Sequence, residues 1–305
     1  MDDYAVVLPT IRPEEAVKRI KESSIPAEKF IIVEDANELS YWPDGIEAYC
    51  RADFPPDIFT AYNSGVRCFG FLKAYDRGVN FILTFDDDVA FDIFLVQDHL
   101  KILTSSFDVQ RWMSTANIRT RGLPWRMTGQ SVIPALSHGL WTNIPDFDAP
   151  TQLMLEDTVS DVEPFDGIIP KGLYYPMCWM NLAFQRDVVP LMYAPFNGPS
   201  FPYDRFEDIW TGIISKRIMD HLGMYVHSGQ PTVRHDRLSD VFTNLQKEAS
   251  GIAYNETFWQ LIDSIELVGT SPATCMMDIA DAFDDTDDEY LYLVSTGIRN
   301  WLALL

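Results

Sequence analysis

The apolar positions near the start of this chain fall into short unbroken runs. Residues 4–8 form the first, and Pro9, Thr10, Ile11 and Arg12 follow it. A run this short, with no polar alternation, predicts a strand buried on both faces. Pro13 opens a helix-period segment over residues 14–22, as expected for proline at a first helical turn. Residues 30–33 predict a second strand ending at Glu34 and Asp35, residues 66–75 a helix, and residues 79–85 a third strand. Strand, helix, strand, helix, strand predicts a parallel α/β sheet. Beyond residue 105 the pattern becomes irregular and rich in Pro, Gly and Trp, and long loops of that kind in an enzyme shape a site. Residues 205–219 predict a helix, and the chain beyond about 250 is mostly helical. The acidic run 281–289 reads as a solvated helix face or loop. The expected division is an α/β catalytic domain over 1–250 and a helical extension over 251–305 packed on it.

Asp86, Asp87 and Asp88 directly follow the third strand. Ligands of parallel α/β sheets bind at the carboxyl edge of the strands. Residues i and i+2 of a strand share a face, so Asp86 and Asp88 are expected to converge on one hard divalent cation. A cation so held keeps positions open for phosphate oxygens, as in enzymes that use nucleotide-sugars. The alternative is a turn or helix cap rich in Asp. Thr10 and Asp35 are expected at the same edge as nucleoside contacts. Arg12 and Arg67 are expected on diphosphate or uracil, because arginine forks match phosphate oxygens, with surface ion pairing as the alternative.

Composition narrows the classes. The chain has 305 residues, 47% of them hydrophobic, enough for one large domain or two small ones. The net charge of −22 argues against nucleic acid and anionic membrane surfaces as partners. A bound cation would offset repulsion between an acidic site and an anionic donor. No run approaches the ~20 apolar residues of a membrane span, and the first residues do not read as a secretory signal. Cys50, Cys68, Cys178 and Cys275 show neither metal-ligand spacing nor a disulfide framework, so a reducing cytoplasmic location is expected.

Residues 137–153, Ser-His-Gly-Leu-Trp-Thr-Asn-Ile-Pro-Asp-Phe-Asp-Ala-Pro-Thr-Gln-Leu, closely resemble the signature of the reversibly glycosylated polypeptides, the UDP-arabinopyranose mutases of glycosyltransferase family 75. Segments 9–12, 31–35, 67–70, 175–184, 205–210, 220–223 and 244–248 resemble further blocks of that family in the same order, and the resemblance covers roughly residues 4 to 265. It implies a GT-A-like, Rossmann-related fold and a UDP-sugar site dependent on Mn²⁺ or Mg²⁺. It also implies interconversion of UDP-arabinopyranose and UDP-arabinofuranose, self-glycosylation on an arginine, and assembly into an oligomer, here a homo-oligomer. The plant proteins carry that arginine in a Gly-Tyr-Pro-Phe-Ser-Leu-Arg-Glu-Gly segment. The matching stretch here, residues 122–129, is one residue shorter and its arginine is displaced, leaving Arg126 as the nearest candidate.

Further roles follow from that resemblance. Asp86 and Asp88 are the expected metal ligands, His235 the third, and Asp87 a ribose contact or an indirect one to the cation. A lone histidine such as His235 is as often structural. Glu207 and Asp208 read either as acids favoured at a helix start or as carboxylates near the anomeric carbon, with Asp208 the expected base. His138 lines the sugar pocket or satisfies a buried hydrogen bond. Trp141, Trp179 and Trp210 stack on sugar or base, or fill a core. Asp146 and Asp148 bind sugar hydroxyls or shape a turn. Three functions compete: a mutase, a transferase passing the sugar to a glycan, protein or small acceptor, and a non-catalytic partner that binds a nucleotide-sugar. The displaced arginine favours the second, the central signature the first, and the intact acids oppose the third.

Overall fold

In a computed structural model, residues 3–55, 58–59, 64–144, 146–155, 165–236 and 239–305 are described. Every residue of β1 (Tyr4–Thr10) is buried. Tyr4, Val6 and Leu8 enter one core and Ala5 and Val7 the other, as a strand's pleat requires. Double burial is the reason the run lacks a polar face. β2 (Phe30–Glu34) lies parallel to β1, and α1 (Pro13–Ser23) connects them. β3 (Glu47–Cys50) adds a parallel strand outside β2. α2 (Arg67–Asp76) leads into β4 (Phe81–Phe85), parallel to β1 on its other side. The expected α/β order is present, with ends shifted by one or two residues.

The irregular middle of the sequence supplies the rest of the sheet. After β5 (Val89–Ala90) come α3 (Ile93–Thr104), a hairpin of β6 (Phe107–Gln110) and β7 (Gly129–Val132), then β8 (Leu136–Asn143). α4 (Ala149–Leu155), β9 (Gly167–Ile168), β10 (Asn181–Gln185), α5 (Glu207–Leu222) and β11 (Val226–His235) follow. The chain closes with α6 (Val241–Ser264), α7 (Pro272–Asp284) and α8 (Glu289–Leu304). The sheet order is β3-β2-β1-β4-β10-β8-β11-β5, with β9 also on β11. β10 runs antiparallel to both β4 and β8, and β11 runs parallel to β8. The carboxyl ends of β1, β2, β4, β8 and β11 therefore share one edge, and β10 starts there. This mixed, Rossmann-like sheet carries α1 and α3 on one face, and α2 with α5 to α8 on the other.

α2 lies unusually close to the sheet. A Cβ on its Gly70 would run into the side chains of Val7 and Val33. That approach brings Arg67, the first residue of α2, to the carboxyl edge. α6 passes residue 250 without a break, and α7 and α8 enter the same core as α5. The acidic run 281–289 forms the end of α7, a turn, and the start of α8, which Asp288 caps through the amide of Tyr290 at 2.8 Å. No helix among the described residues is long and apolar enough to cross a membrane.

Candidate active site

Asp86, Asp87 and Asp88 do not prolong β4. The chain turns at 87 and 88 and returns as β5, so the shared-face argument gives way to a turn in which each carboxylate meets its own arrangement of cations. Asp87 points inward and is 5% exposed. It accepts from Thr10 Oγ1 at 2.6 Å and is paired with Arg12. Each of its oxygens thus has a protein donor, Thr10 on one and Arg12 on the other. Thr10 Oγ1 in turn accepts from the amide of Arg12 at 2.8 Å. Asp86 pairs with Arg67, and Asp88 lies 3.7 Å from the Arg12 guanidinium. Burial first, then the charge of Asp86, push the Asp88 carboxyl above its ordinary range, while His235 and Arg12 pull it down. His235 closes the group from the end of β11. Its Nδ1 lies 2.9 Å from the carbonyl of Ile144, so Nδ1 carries a proton and donates it there. Among the described residues no three His, Cys, Asp or Glu side chains stand close enough to hold a metal ion as placed. Arg12 and Arg67 take up the acid charge.

Arg67 is not a surface cation. It is 2% exposed, donates to the carbonyl of Trp179 at 2.7 Å and to Thr84 Oγ1 at 3.2 Å, and lies over the Trp179 ring. This corrects its expected role on diphosphate: burial at the start of α2 makes it an internal bracket. Asp35 is likewise engaged, by Arg51 Nε at 2.5 Å, at the end of β2.

A second set of acids lies across Trp179. The Trp179 amide donates to Asp208 Oδ2 at 3.3 Å, and the amide of Ile209 to Oδ1 at 2.9 Å. Burial, then Glu207, then Asp146 raise the Asp208 carboxyl to about 7. The start of α5 should favour an anion, yet burial among like charges outweighs the helix dipole. Cys178 sits among Asp146, Asp208 and Asp86, and burial holds its thiol well above the ordinary range. The backbone of one residue thus joins the sets, in a chain running from Asp86 through Arg67 and Trp179 to Asp208.

Other expected residues fall elsewhere. His138 is buried, with Nδ1 2.9 Å from Ser228 Oγ and Nε2 accepting from the Cys178 amide at 3.1 Å. Burial holds it down at about 3, so it is a neutral support for the segment that carries Trp179. Trp141 is half-buried against the edge of Phe147. Trp210 is fully buried between α5 and α6 and donates to Asn255 Oδ1 at 3.0 Å, so its stacking role is corrected to a core one. Its spacing from Ile213 and Ile214 carried that signal. Asp148 caps α4 through the amide of Thr151 at 2.9 Å. Arg126 is exposed on the loop between β6 and β7. That hairpin is rooted at the amino end of β11, where Gln130 bonds Tyr225, whereas the acids lie at the carboxyl end. The structure therefore does not bring Arg126 to the acids.

Against this geometry, a family model described as "Reversibly glycosylated polypeptide" matches residues 2–304. The chain belongs to that family. It is 33% identical to UDP-arabinopyranose mutase 3 of Arabidopsis thaliana, over 99% of this chain and 90% of the relative. It is 31% identical to a probable UDP-arabinopyranose mutase 2 of Solanum tuberosum, over 99% and 89%. UDP-arabinopyranose mutase 1 of Arabidopsis thaliana shares 32% identity over 92% and 84%. In this family member, much of the signature at 137–153 is scaffold. His99 lies 2.9 Å from Ser137 Oγ and 2.8 Å from Asn181 Oδ1, and Asn181 donates to the carbonyls of Pro231 and Leu140 at 2.8 and 3.0 Å. A Cβ at Gly139 would collide with Asn181, so the network requires glycine there. It clamps β8, β10 and β11 just below the acids. Arg205 and Glu248, which bracket the second acid set, were not singled out in the sequence. Their pairing crosses 43 positions, and the hint was that each stands in a block of the family pattern, 205–210 and 244–248.

Proposed function

We propose that this protein interconverts UDP-arabinopyranose and UDP-arabinofuranose at the carboxyl edge of its sheet. The observation that carries the reading is family membership along the whole chain, with relatives named as UDP-arabinopyranose mutases. The site supports it by offering two acid sets of opposite character within one bracket. The donors of the first set suit a divalent cation, because the Nδ1–H of His235 is anchored on a carbonyl and Asp88 stands 3.7 Å from the Arg12 guanidinium, beyond hydrogen-bond reach. Asp86, Asp88 and His235 would hold Mn²⁺ or Mg²⁺, which supplies Lewis-acid stabilisation of the departing UDP. Arg12 stands beside them, half-buried, where it meets phosphate oxygens. Asp208 suits proton handling near neutral pH. The hydroxyl that closes the new ring gives its proton to Asp208, the oxygen released from the old ring takes one back, and the displaced UDP re-forms its bond to the anomeric carbon. Asp146 holds sugar hydroxyls beside it. The four cysteines are free, which suits a reducing cytoplasm. Arg126 is the candidate for arginine self-glycosylation. The test is incubation of the purified protein with UDP-arabinofuranose and Mn²⁺. UDP-arabinopyranose formed without an acceptor supports the reading; sugar moved only to an added acceptor makes the protein a transferase.

A further inference from the structure

The acids around Asp208 come from two loops far apart in sequence. Asp146 lies just before α4, and Glu207 and Asp208 begin α5. One carboxylate on a third element joins the loops. Glu248 of α6 is 6% exposed. One oxygen accepts from the amide of Ala149 at 2.8 Å, and the other from Arg205 Nε at 3.0 Å. Arg205 stands at φ 66°, a left-handed conformation that a residue with a side chain keeps only where its surroundings fix it. α6 is pressed against this corner, since a Cβ at Gly251 would run into the ring of Phe206. Glu248, Glu207 and Asp146 all act on the Arg205 guanidinium, and Glu207, Asp146 and Arg67 all act on Asp208.

We propose that Glu248 is a positioning residue of the reaction centre, bridging Arg205 and the Ala149 amide so that Asp146 and Asp208 keep one spacing around the sugar. This rests on the mutase reading for its catalytic consequence. The bridge also partitions charge. Arg205, engaged by Glu248, is shared away from Asp146 and Glu207, the two carboxylates that add to burial in raising Asp208. A neutral residue at 248 hands the whole guanidinium to those two, and Asp208 releases its proton more readily.

The experiment is Glu248→Gln, which keeps the size of the side chain and an acceptor for the Ala149 amide. The Asp208 carboxyl carbon is followed against pH by NMR in protein labelled with ¹³C-aspartate, its signal identified by loss in Asp208→Asn. Turnover of UDP-arabinofuranose is measured on the same samples, and thermal melting confirms the fold. The expected result is a fall of the Asp208 midpoint by about one unit. It is accompanied by a kcat loss of about 10- to 100-fold with little change in KM. An Asp208 midpoint equal to that of the unmodified protein overturns the proposal. If the unmodified protein converts no UDP-arabinose, the mutase reading fails, and the Asp208 titration still decides the role of Glu248.

Discussion

The two acid sets on either side of Trp179 are built from the same side chains and behave differently. In the turn after β4, Asp86 and Asp87 each have an arginine in contact, and Asp88 has Arg12 at 3.7 Å and His235 nearby. Across the tryptophan, Asp208 has burial and two more carboxylates for company, with Arg67 as the cation that draws it down. The first set is a place for positive charge. The second is a place for a proton. Carboxylates driven to different protonation states by their surroundings mark a division of labour in catalysis. Here that division runs across the backbone of one residue, Trp179, with Arg67 on its carbonyl and Asp208 on its amide.

Substitutions can break this contrast. Asp88→Ala removes a donor from the first set and should lower turnover of UDP-arabinofuranose by about 10³-fold or more, measured with Mn²⁺ in excess. Asp208→Asn removes the proton carrier and should lower kcat by about 10²- to 10⁴-fold. The same variant tests the second set without substrate. The folded midpoint of Asp208, about 7, lies above its ordinary value of 3.8. The folded protein therefore holds a proton that the unfolded chain has lost between those limits, so stability falls as pH rises through that window. Asp208→Asn should then stabilise the protein at pH 8 by on the order of 1 kcal/mol, since the partly open face of Asp208 is screened by solvent. At pH 4 the gain should vanish, which thermal melting at both pH values checks. An equal gain at pH 4 would remove the contrast.

Smaller effects sharpen it. Asn181→Ala breaks the network under the acids and should lower stability by about 2–3 kcal/mol in urea titration. The protein that stays folded should keep most of its kcat, because Asn181 is scaffold. Arg126→Ala should leave UDP-arabinose turnover within about twofold, as an exposed loop substitution. It should also abolish protein labelling by radioactive UDP-sugar; label that persists assigns the acceptor to another residue.

Much of this was legible in the chain. β1, β2 and β4 are buried on both faces, so their apolar runs stand out, and the acids after β4 lie where parallel topology places a site. Thr10, Arg12, Asp86 and Asp88 gather at that edge because two neighbouring parallel strands, β1 and β4, deliver them. β8, β10 and β11 were not legible. β8 is buried only over its first half, and β10 has five residues. β11 shifts register between Gly229 and Val233, with Pro231 between them. The roles of Arg67 and Trp210 turned on burial. A cation at the first turn of a helix reads as exposed unless the closeness of that helix to the sheet, set here at Gly70, is known. The Glu248 bridge depends on tertiary packing of α6 on two loops, which no local pattern encodes.

The central claim is the division between the two acid sets, and titration calorimetry of UDP with Mn²⁺ on Asp88→Ala and Asp208→Asn tests it most directly. The account expects Asp208→Asn to bind UDP as the unmodified protein does and Asp88→Ala to lose binding. Equal loss in both, or UDP binding unchanged in Asp88→Ala, would contradict it.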